Sequence, residues 1–440
     1  MSTQISRRSF LRNTAIAGGV SILTGGVFKA RAYAANEKLN TALIGVGGRG
    51  GAFHEAVSSE NFVAMCDVDT SRMADLANSN PKTKTYQDYR RMLDVHRNLD
   101  AVFVITPDHH HFPAAMRAIA NGAGVYVEKP LCHSIWETRT LTDAAREAKV
   151  PTQMGHQGHS TDSTRRLCEY IWAGSIGEVT EVHCYSDRPL WPQGIKRPTE
   201  TLEIPSSLDW DVWMGPAPKR PYHANLHPFD WRGWWDFGTG ALGDMGCHIM
   251  DSAFWALKLG SPSSVEAKFD ESFDETGPNW SIVTYEFPAR DNLPPCRLVW
   301  YDGGKMPERP AELEEGRNLD TNGAIFYGDK GTLISGTPWV DGGVSIIPEE
   351  KRLATPPPWR TLPRVTGGHT GDFLRSCRGG EHSSANFNYS GPFTEFVLLG
   401  NLAIRLGKKI EWDGENMRAT NAPEAEDFIR RTYRPGWMIG

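Results

Sequence analysis

Short apolar runs alternate with amphipathic stretches through the first third of the chain. Leu39–Val46 (LNTALIGV) is rich in β-formers and stops at glycines, which reads as a buried strand. The pattern then predicts a helix over 51–58, a strand over 62–66, a short helix over 86–93 and a strand over 99–106. A helix over 113–121, a strand over 124–127, a helix over 134–149 and a short strand after Pro151 follow. This alternation predicts a parallel, doubly wound Rossmann sheet over 36–155, with ligands at the carboxyl ends of its strands. Beyond it the rhythm weakens. Residues 303–364 are rich in Pro, Gly and charge and read as long loops around strands at 324–326 and 331–334. Residues 394–406 read as an apolar packing helix, and no internal repeat or low-complexity segment stands out.

The turn after the first strand carries Gly45, Gly47 and Gly50 in a G-x-G-x-x-G spacing, with Gly48 and Arg49 between them. Such glycines allow a tight turn, close approach of backbone to a pyrophosphate, and close helix–strand contact. The second strand ends at Asp67, about 20 residues after the first glycine, where a carboxylate can hold the adenosine ribose hydroxyls. A carboxylate there repels a 2′-phosphate, so NAD is preferred; Arg49 and Arg72 keep NADP open. As a helix cap or turn residue, Asp67 would carry no such role.

Composition narrows the class. A chain of 440 residues suggests two domains. With 39% apolar and 23% charged residues it can build cores and stay soluble. The net charge of −6 gives no reason to expect nucleic acid or an anionic membrane surface as a partner. Its 15 tryptophans suit either large cores or platforms for sugars. Seven cysteines, an odd number without a CxxC pair, argue against a disulfide framework.

The stretch Ser6–Arg12 (SRRSFLR) places Arg7 and Arg8 before a mild, Gly-rich apolar run over 14–28 and small residues over 30–35. This order resembles a twin-arginine export signal over 1–35, with the export machinery as a partner and a periplasmic or otherwise exported destination. The alternative is a disordered basic arm. No cysteine follows the apolar run, so a lipid anchor is not indicated.

Three further motifs carry a family resemblance. They are TPDHHH (Thr106–His111), EKPL (Glu128–Leu131) and GALGDMGCHIMD (Gly240–Asp251). With the glycine turn they resemble the Gfo/Idh/MocA family, which includes glucose-fructose oxidoreductase and inositol dehydrogenase. The resemblance implies a second α/β domain over 156–440 with an open, mostly antiparallel sheet that binds substrate and often mediates homo-oligomerisation. It implies cofactor contacts from Thr106, Pro107, His111, Glu128 and Lys129, and a catalytic set of Lys129, Asp244 and His248. The i,i+4 spacing puts Asp244 and His248 on one helix face, where a cap and a core histidine would also sit.

Oxidation of a sugar or polyol hydroxyl needs a base, a donor to the reacting oxygen and correct orientation of the C–H bond. His248 suits the base and Lys129 the donor, with exchanged roles open; Asp244 would orient. His156, Gln157 and His159 follow the last Rossmann strand and, with Trp231, Arg232 and Trp235, are candidates for contacting a carbohydrate. Ordinary loop and core packing is the alternative for each. Consecutive His109, His110 and His111 diverge in an extended loop, and no Cys/His spacing fits zinc, so no metal is expected. An exported compartment lacks an obvious NAD pool, so a tightly bound, recycled cofactor is expected. Two other readings stand: a redox-neutral glycosidase or lyase working through a keto-sugar, with His156, His159 or Tyr185 as an extra base, and a non-catalytic sugar-binding protein.

Overall fold

The computed structural model describes residues 37–271, 274–337 and 343–438. The export signal expected over 1–35, with Arg7 and Arg8, lies outside the described residues. The first sheet is built from β1 (Asn40–Ile44), β2 (Asn61–Cys66), β3 (Lys84–Tyr86), β4 (Ala101–Val104), β5 (Gly124–Glu128) and β6 (Thr152–Gly155). All pairings are parallel and the spatial order is β3-β2-β1-β4-β5-β6, the Rossmann order. β4 and β5 are buried at every position, which is why they appear as unbroken apolar runs.

The departures from the predicted pattern have local causes. The stretch after the glycine turn begins as a 3-10 helix, Gly48–Phe53, before one short α-helical segment, His54–Ser58. Four glycines over 47–51 disfavour an α-helical start. β3 gives no hydrophobic signal because it is an exposed edge strand. The predicted helix over 134–149 is Ile135–Ala148, closed by a capping box in which Ser134 and Glu137 satisfy each other's backbone N–H. Glu137 is fully buried and also accepts from the Tyr433 hydroxyl, which ties the C-terminal segment to this helix start.

The second sheet has nine strands in the order β13-β12-β11-β7-β10-β9-β8-β14-β15. They are β7 (Val179–Tyr185), β8 (Ser264–Phe269), β9 (Ser281–Phe287), β10 (Cys296–Tyr301), β11 (Gly323–Gly328), β12 (Gly331–Ser335), β13 (Val344–Ile347), β14 (Ile410–Asp413) and β15 (Arg418–Ala419). Only β7 and β10 run parallel; the other pairs are antiparallel. Strand β9 alternates buried and half-buried positions, the signature of a sheet with one core face. All seven cysteines are buried free thiols. Among the described residues no helix is long and apolar enough to cross a membrane.

The two sheets are joined by one long helix, Phe387–Leu406. It packs against the Ile135–Ala148 helix of the first domain and against the Gly240–Ile249 helix and β8 of the second. The sequence signal for it begins only at Thr394 because Gly391 and Pro392 read as breakers. Asn386 starts it earlier by capping Asn388 N, and burial of Phe387, Phe393 and Phe396 holds it through the proline. At Gly400 a Cβ would lie 2.1 Å from Tyr285 Oη and 2.5 Å from Leu242 Cδ2, so the helix sits as close as a glycine permits. Gly400→Ala should therefore overpack this junction and destabilise the protein by about 1–3 kcal/mol. Calorimetry should show a lower Tm, with far-UV circular dichroism unchanged at low temperature.

Candidate active site

The carboxyl ends of β1, β2, β4 and β5 open into a cleft of about 780 Å³, closed on the far side by the Gly240–Ile249 helix and the loops around 188–191 and 227–232. At one end is the glycine turn. Gly45 has φ +85°, and a Cβ on it would stand 2.2 Å from Ile105 O. Gly48 has φ +54° and open space where its Cβ would be, so backbone can meet a ligand there. Gly50 does not line the cleft; it packs the turn against itself, its Cβ position lying 2.1 Å from Gly45 O. Asp67 Oδ2 accepts from Val46 N at 2.9 Å and Gly47 N at 3.1 Å, and Oδ1 from Asp69 N at 3.0 Å. Its carboxylate thus faces the cleft while bracing the turn. Arg72 covers Gly47 from the same side. This glycine-lined cradle with an acid at its edge fits the diphosphate and ribose of a dinucleotide.

At the other end Lys129, from the turn after β5, reaches into the second domain. Its Nζ donates to Asp244 Oδ1 at 2.6 Å and to Asp244 O at 2.8 Å. Arg232 Nε lies 3.5 Å from the same Asp244 oxygen. Burial would raise the Asp244 carboxyl, but the Lys129 and Arg232 charges outweigh it and hold the group below its ordinary value. His248, one turn further along, is pushed well below the usual imidazole range by burial and then by Lys129. It is therefore a neutral imidazole near neutral pH; burial and Lys129 oppose its taking on a proton, and the Asp244 charge favours it. Glu128 anchors the other side, bound to Arg49 at 3.0 Å and to Gln157 Nε2 at 2.9 Å.

Thr106, Pro107, Trp231, Arg232 and Gln157 also line the cleft, as predicted residues should. Arg232 is held flat, its guanidinium 4.4 Å from the centroids of both Phe229 and Trp231. Five predicted contacts lie elsewhere. His111 is buried, with Nδ1 2.8 Å from Pro130 O and Nε2 2.9 Å from Thr106 O, so it staples two cleft loops from behind. His156 and His159 are 1% exposed and gather around Asp251 rather than in the cleft, because the short turn Gln157–Ser160 aims both rings inward. Trp235 turns away into the core beside Arg405. Tyr185 is buried in the second sheet. The neighbours His109 and His110 diverge from His111 and bind Trp213 O at 2.9 and 2.8 Å, which docks their loop onto the second domain.

Cleft residues that sequence reasoning passed over include Asp108, Leu190 and Phe229. Leu190 and Phe229 are 67% and 49% exposed and form an apolar mouth. Asp108 sits inside TPDHHH, lines the cleft and accepts from Thr239 Oγ1 at 2.7 Å. Only its position at a strand end marked it in the sequence.

Comparison with known proteins adds to this geometry. The family model described as "Oxidoreductase family, NAD-binding Rossmann fold" matches residues 39–156, and that described as "Oxidoreductase family, C-terminal alpha/beta domain" matches 178–439. A D-glucoside 3-dehydrogenase of Escherichia coli is 25% identical over 305 residues, 66% of this chain and 75% of that protein. A glycosyl hydrolase family 109 protein of Saccharopolyspora erythraea is 29% identical over 206 residues, 40% of this chain and 45% of the relative. An uncharacterized oxidoreductase of Streptococcus pneumoniae is 30% identical over 95 residues, 22% of this chain and 25% of its own. The chain thus spans between a quarter and three quarters of the length of these curated relatives. Among solved structures, the WlbA dehydrogenase of Bordetella pertussis with NADH and UDP-GlcNAcA superposes with TM-score 0.61 at 17% identity, covering 86% of this chain and 99% of that one. The aldose-aldose oxidoreductase of Caulobacter crescentus with glycerol gives 0.57 at 16%, covering 86% and 100%. These likenesses show a shared fold.

Asp108 generates a prediction. Burial raises its carboxyl, the Thr239 hydrogen bond and the Lys129 charge oppose this, and the result is pushed up to about 7 from 3.8. The folded state therefore holds a proton that the unfolded chain gives up first, so this group's stability contribution is full below about pH 4 and lost as pH rises through about 7. Asp108→Asn should match the parent at acid pH and gain stability progressively across that window. Thermal denaturation of both proteins as a function of pH checks this.

Proposed function

The chain belongs to the Gfo/Idh/MocA oxidoreductase family, and we propose that it is an exported NAD-dependent enzyme acting on a hydroxyl of a sugar or polyol. The observation that carries this reading is the Lys129–Asp244–His248 group, set where the glycine cradle meets an aromatic and arginine wall. Gly45, Gly47, Gly48, Arg49, Asp67, Thr106, Pro107 and Glu128 would hold the cofactor, which when bound supplies a hydride acceptor. NAD is favoured over NADP by Asp67 at the ribose end; Arg72 is the residue that would favour the phosphate.

The remaining work falls to this chain's own side chains. His248, neutral before the reaction, accepts the proton of the reacting hydroxyl at a ring nitrogen, and the neighbouring Asp244 carboxylate favours the imidazolium that forms. Lys129 donates a hydrogen bond to the oxygen as it gains carbonyl character. Asp244 fixes the ammonium through two contacts of 2.6 and 2.8 Å. Trp231 and the stacked Arg232 present a flat wall with fixed donors, suited to a pyranose face and its hydroxyls.

A redox-neutral glycosidase or lyase is the second reading, favoured by the family 109 relative and by the apolar mouth at Leu190 and Phe229, which suits an aglycone. Its extra acid–base group would be Asp108, since His156, His159 and Tyr185 stand outside the cleft. Export of a folded, loaded enzyme through the twin-arginine route would explain how the cofactor reaches its compartment, and makes retention and recycling of that cofactor part of the proposal.

Denatured purified protein should release close to stoichiometric NAD, and labelled free NAD should exchange slowly with it; rapid exchange would remove the recycling argument. Net NADH formation with a sugar supports the dehydrogenase, and product without redox change the second reading. His248→Ala and Lys129→Ala should lose about 10²–10⁴ in kcat while retaining cofactor, as judged by turnover assay and cofactor release. Variants that lose the fold instead would assign these residues a packing role.

A further inference from the structure

His156 precedes and His159 lies within the short turn Gln157–Ser160 that leaves β6, and Asp251 follows the Gly240–Ile249 helix and opens the next, Asp251–Ala256. The structure brings the three together although 92 residues separate His159 from Asp251. His159 Nδ1 lies 3.1 and 3.0 Å from the two Asp251 oxygens. His156 Nε2 lies 3.2 Å from Asp251 Oδ1, within ion-pair distance, and its Nδ1 has no hydrogen-bond partner. The side chains are 1%, 1% and 3% exposed, and one donor atom from each falls within 4.8 Å of the others. None of the three lines the cleft.

Both imidazoles thus face one carboxylate, and His156 is left buried with Nδ1 unpartnered. Buried polar groups without partners are rare, and two buried imidazoles that converge on one carboxylate call for a shared partner. We propose that His156, His159 and Asp251 bind one first-row divalent cation, with zinc the favoured ion. Donors around a tetrahedral zinc at about 2.0–2.2 Å stand roughly 3.3 Å apart, close to the spacing of both imidazoles from Asp251. Two imidazoles and one carboxylate suit zinc better than magnesium or calcium, which take oxygen shells. Tyr389 Oη, 2.7 Å from Asp251 Oδ1, is placed to complete the shell directly or through water. The ion would pin the turn after β6 to the segment that directly follows Asp244 and His248, independently of which reaction the cleft performs.

The test is elemental analysis of the full-length protein, purified without a metal-affinity step. About one zinc per chain is expected. Dipicolinate should remove it and lower Tm, and added zinc chloride should restore both. Asp251→Asn and His156→Gln should each abolish stoichiometric zinc while the circular dichroism spectrum is kept. Should these variants not fold, X-ray absorption at the zinc edge of the parent protein decides: a shell of imidazole and oxygen supports the site, and a sulfur-containing or all-oxygen shell overturns it. Zinc retained in both folded variants also overturns it. So does a protein with less than about a tenth of an equivalent whose Tm does not rise with zinc, cobalt, nickel or manganese; the cluster is then a hydrogen-bonded His–Asp pair beside a second histidine.

Discussion

The contact between Lys129 and Asp244 is the constraint on which the cleft depends. It spans the two domains: Lys129 stands in the turn after β5 of the first sheet, and Asp244 stands on a helix of the second domain. A carboxyl as buried as Asp244 would ordinarily favour its neutral form, and the ammonium reverses this. The same positive charge, added to burial, keeps His248 neutral. One interaction therefore fixes the geometry of the cleft and the protonation of the groups facing it. A buried ion pair is weak evidence for stability, since desolvation offsets much of its attraction. Its value here is positional.

Positioning of that kind needs a rigid frame, and the Phe387–Leu406 helix supplies it. It touches the Rossmann helix Ile135–Ala148 on one side and the Asp244-bearing helix on the other, so the two halves of the cleft share one core. His109, His110 and His111 add a second clamp. Their rings bind Trp213 O, Pro130 O and Thr106 O, exchanging what looked like a polar cluster for three interdomain and interloop staples.

Much of this was legible in the sequence because it rests on local rules. Parallel buried strands leave continuous apolar runs, the glycine spacing follows from a tight turn, and the capping box at Ser134 and Glu137 is written over four residues. The placement of Lys129, Asp244 and His248 in one cleft was expected from the family resemblance, with helix spacing adding only that Asp244 and His248 share a face. Other features depend on tertiary placement. Trp231 and Trp235 lie four residues apart in one aromatic run, yet one faces the cleft and the other the core. The direction taken by His156 and His159 depends on Asp251, far away in the chain. Edge strand β3 carries little apolar signal, and the pairing of the second sheet joins strands far apart in the chain, so neither was readable from pattern.

The polarity of the cleft changes along its length, and this bears on what it can accept. Near Lys129 the wall is charged, half-buried and fixed by short hydrogen bonds. Towards Leu190 and Phe229 it becomes apolar and exposed. Arg232 lies between, its charge facing Asp244 and its flat surface clasped by Phe229 and Trp231. A simple polyol would fill only the charged end and leave the apolar mouth in contact with water. A glycoside would place its sugar hydroxyls against the charged end and its aglycone against the mouth, burying both kinds of surface. That change of polarity along the cleft is the physical ground on which the proposed function divides between a free polyol and a substituted sugar.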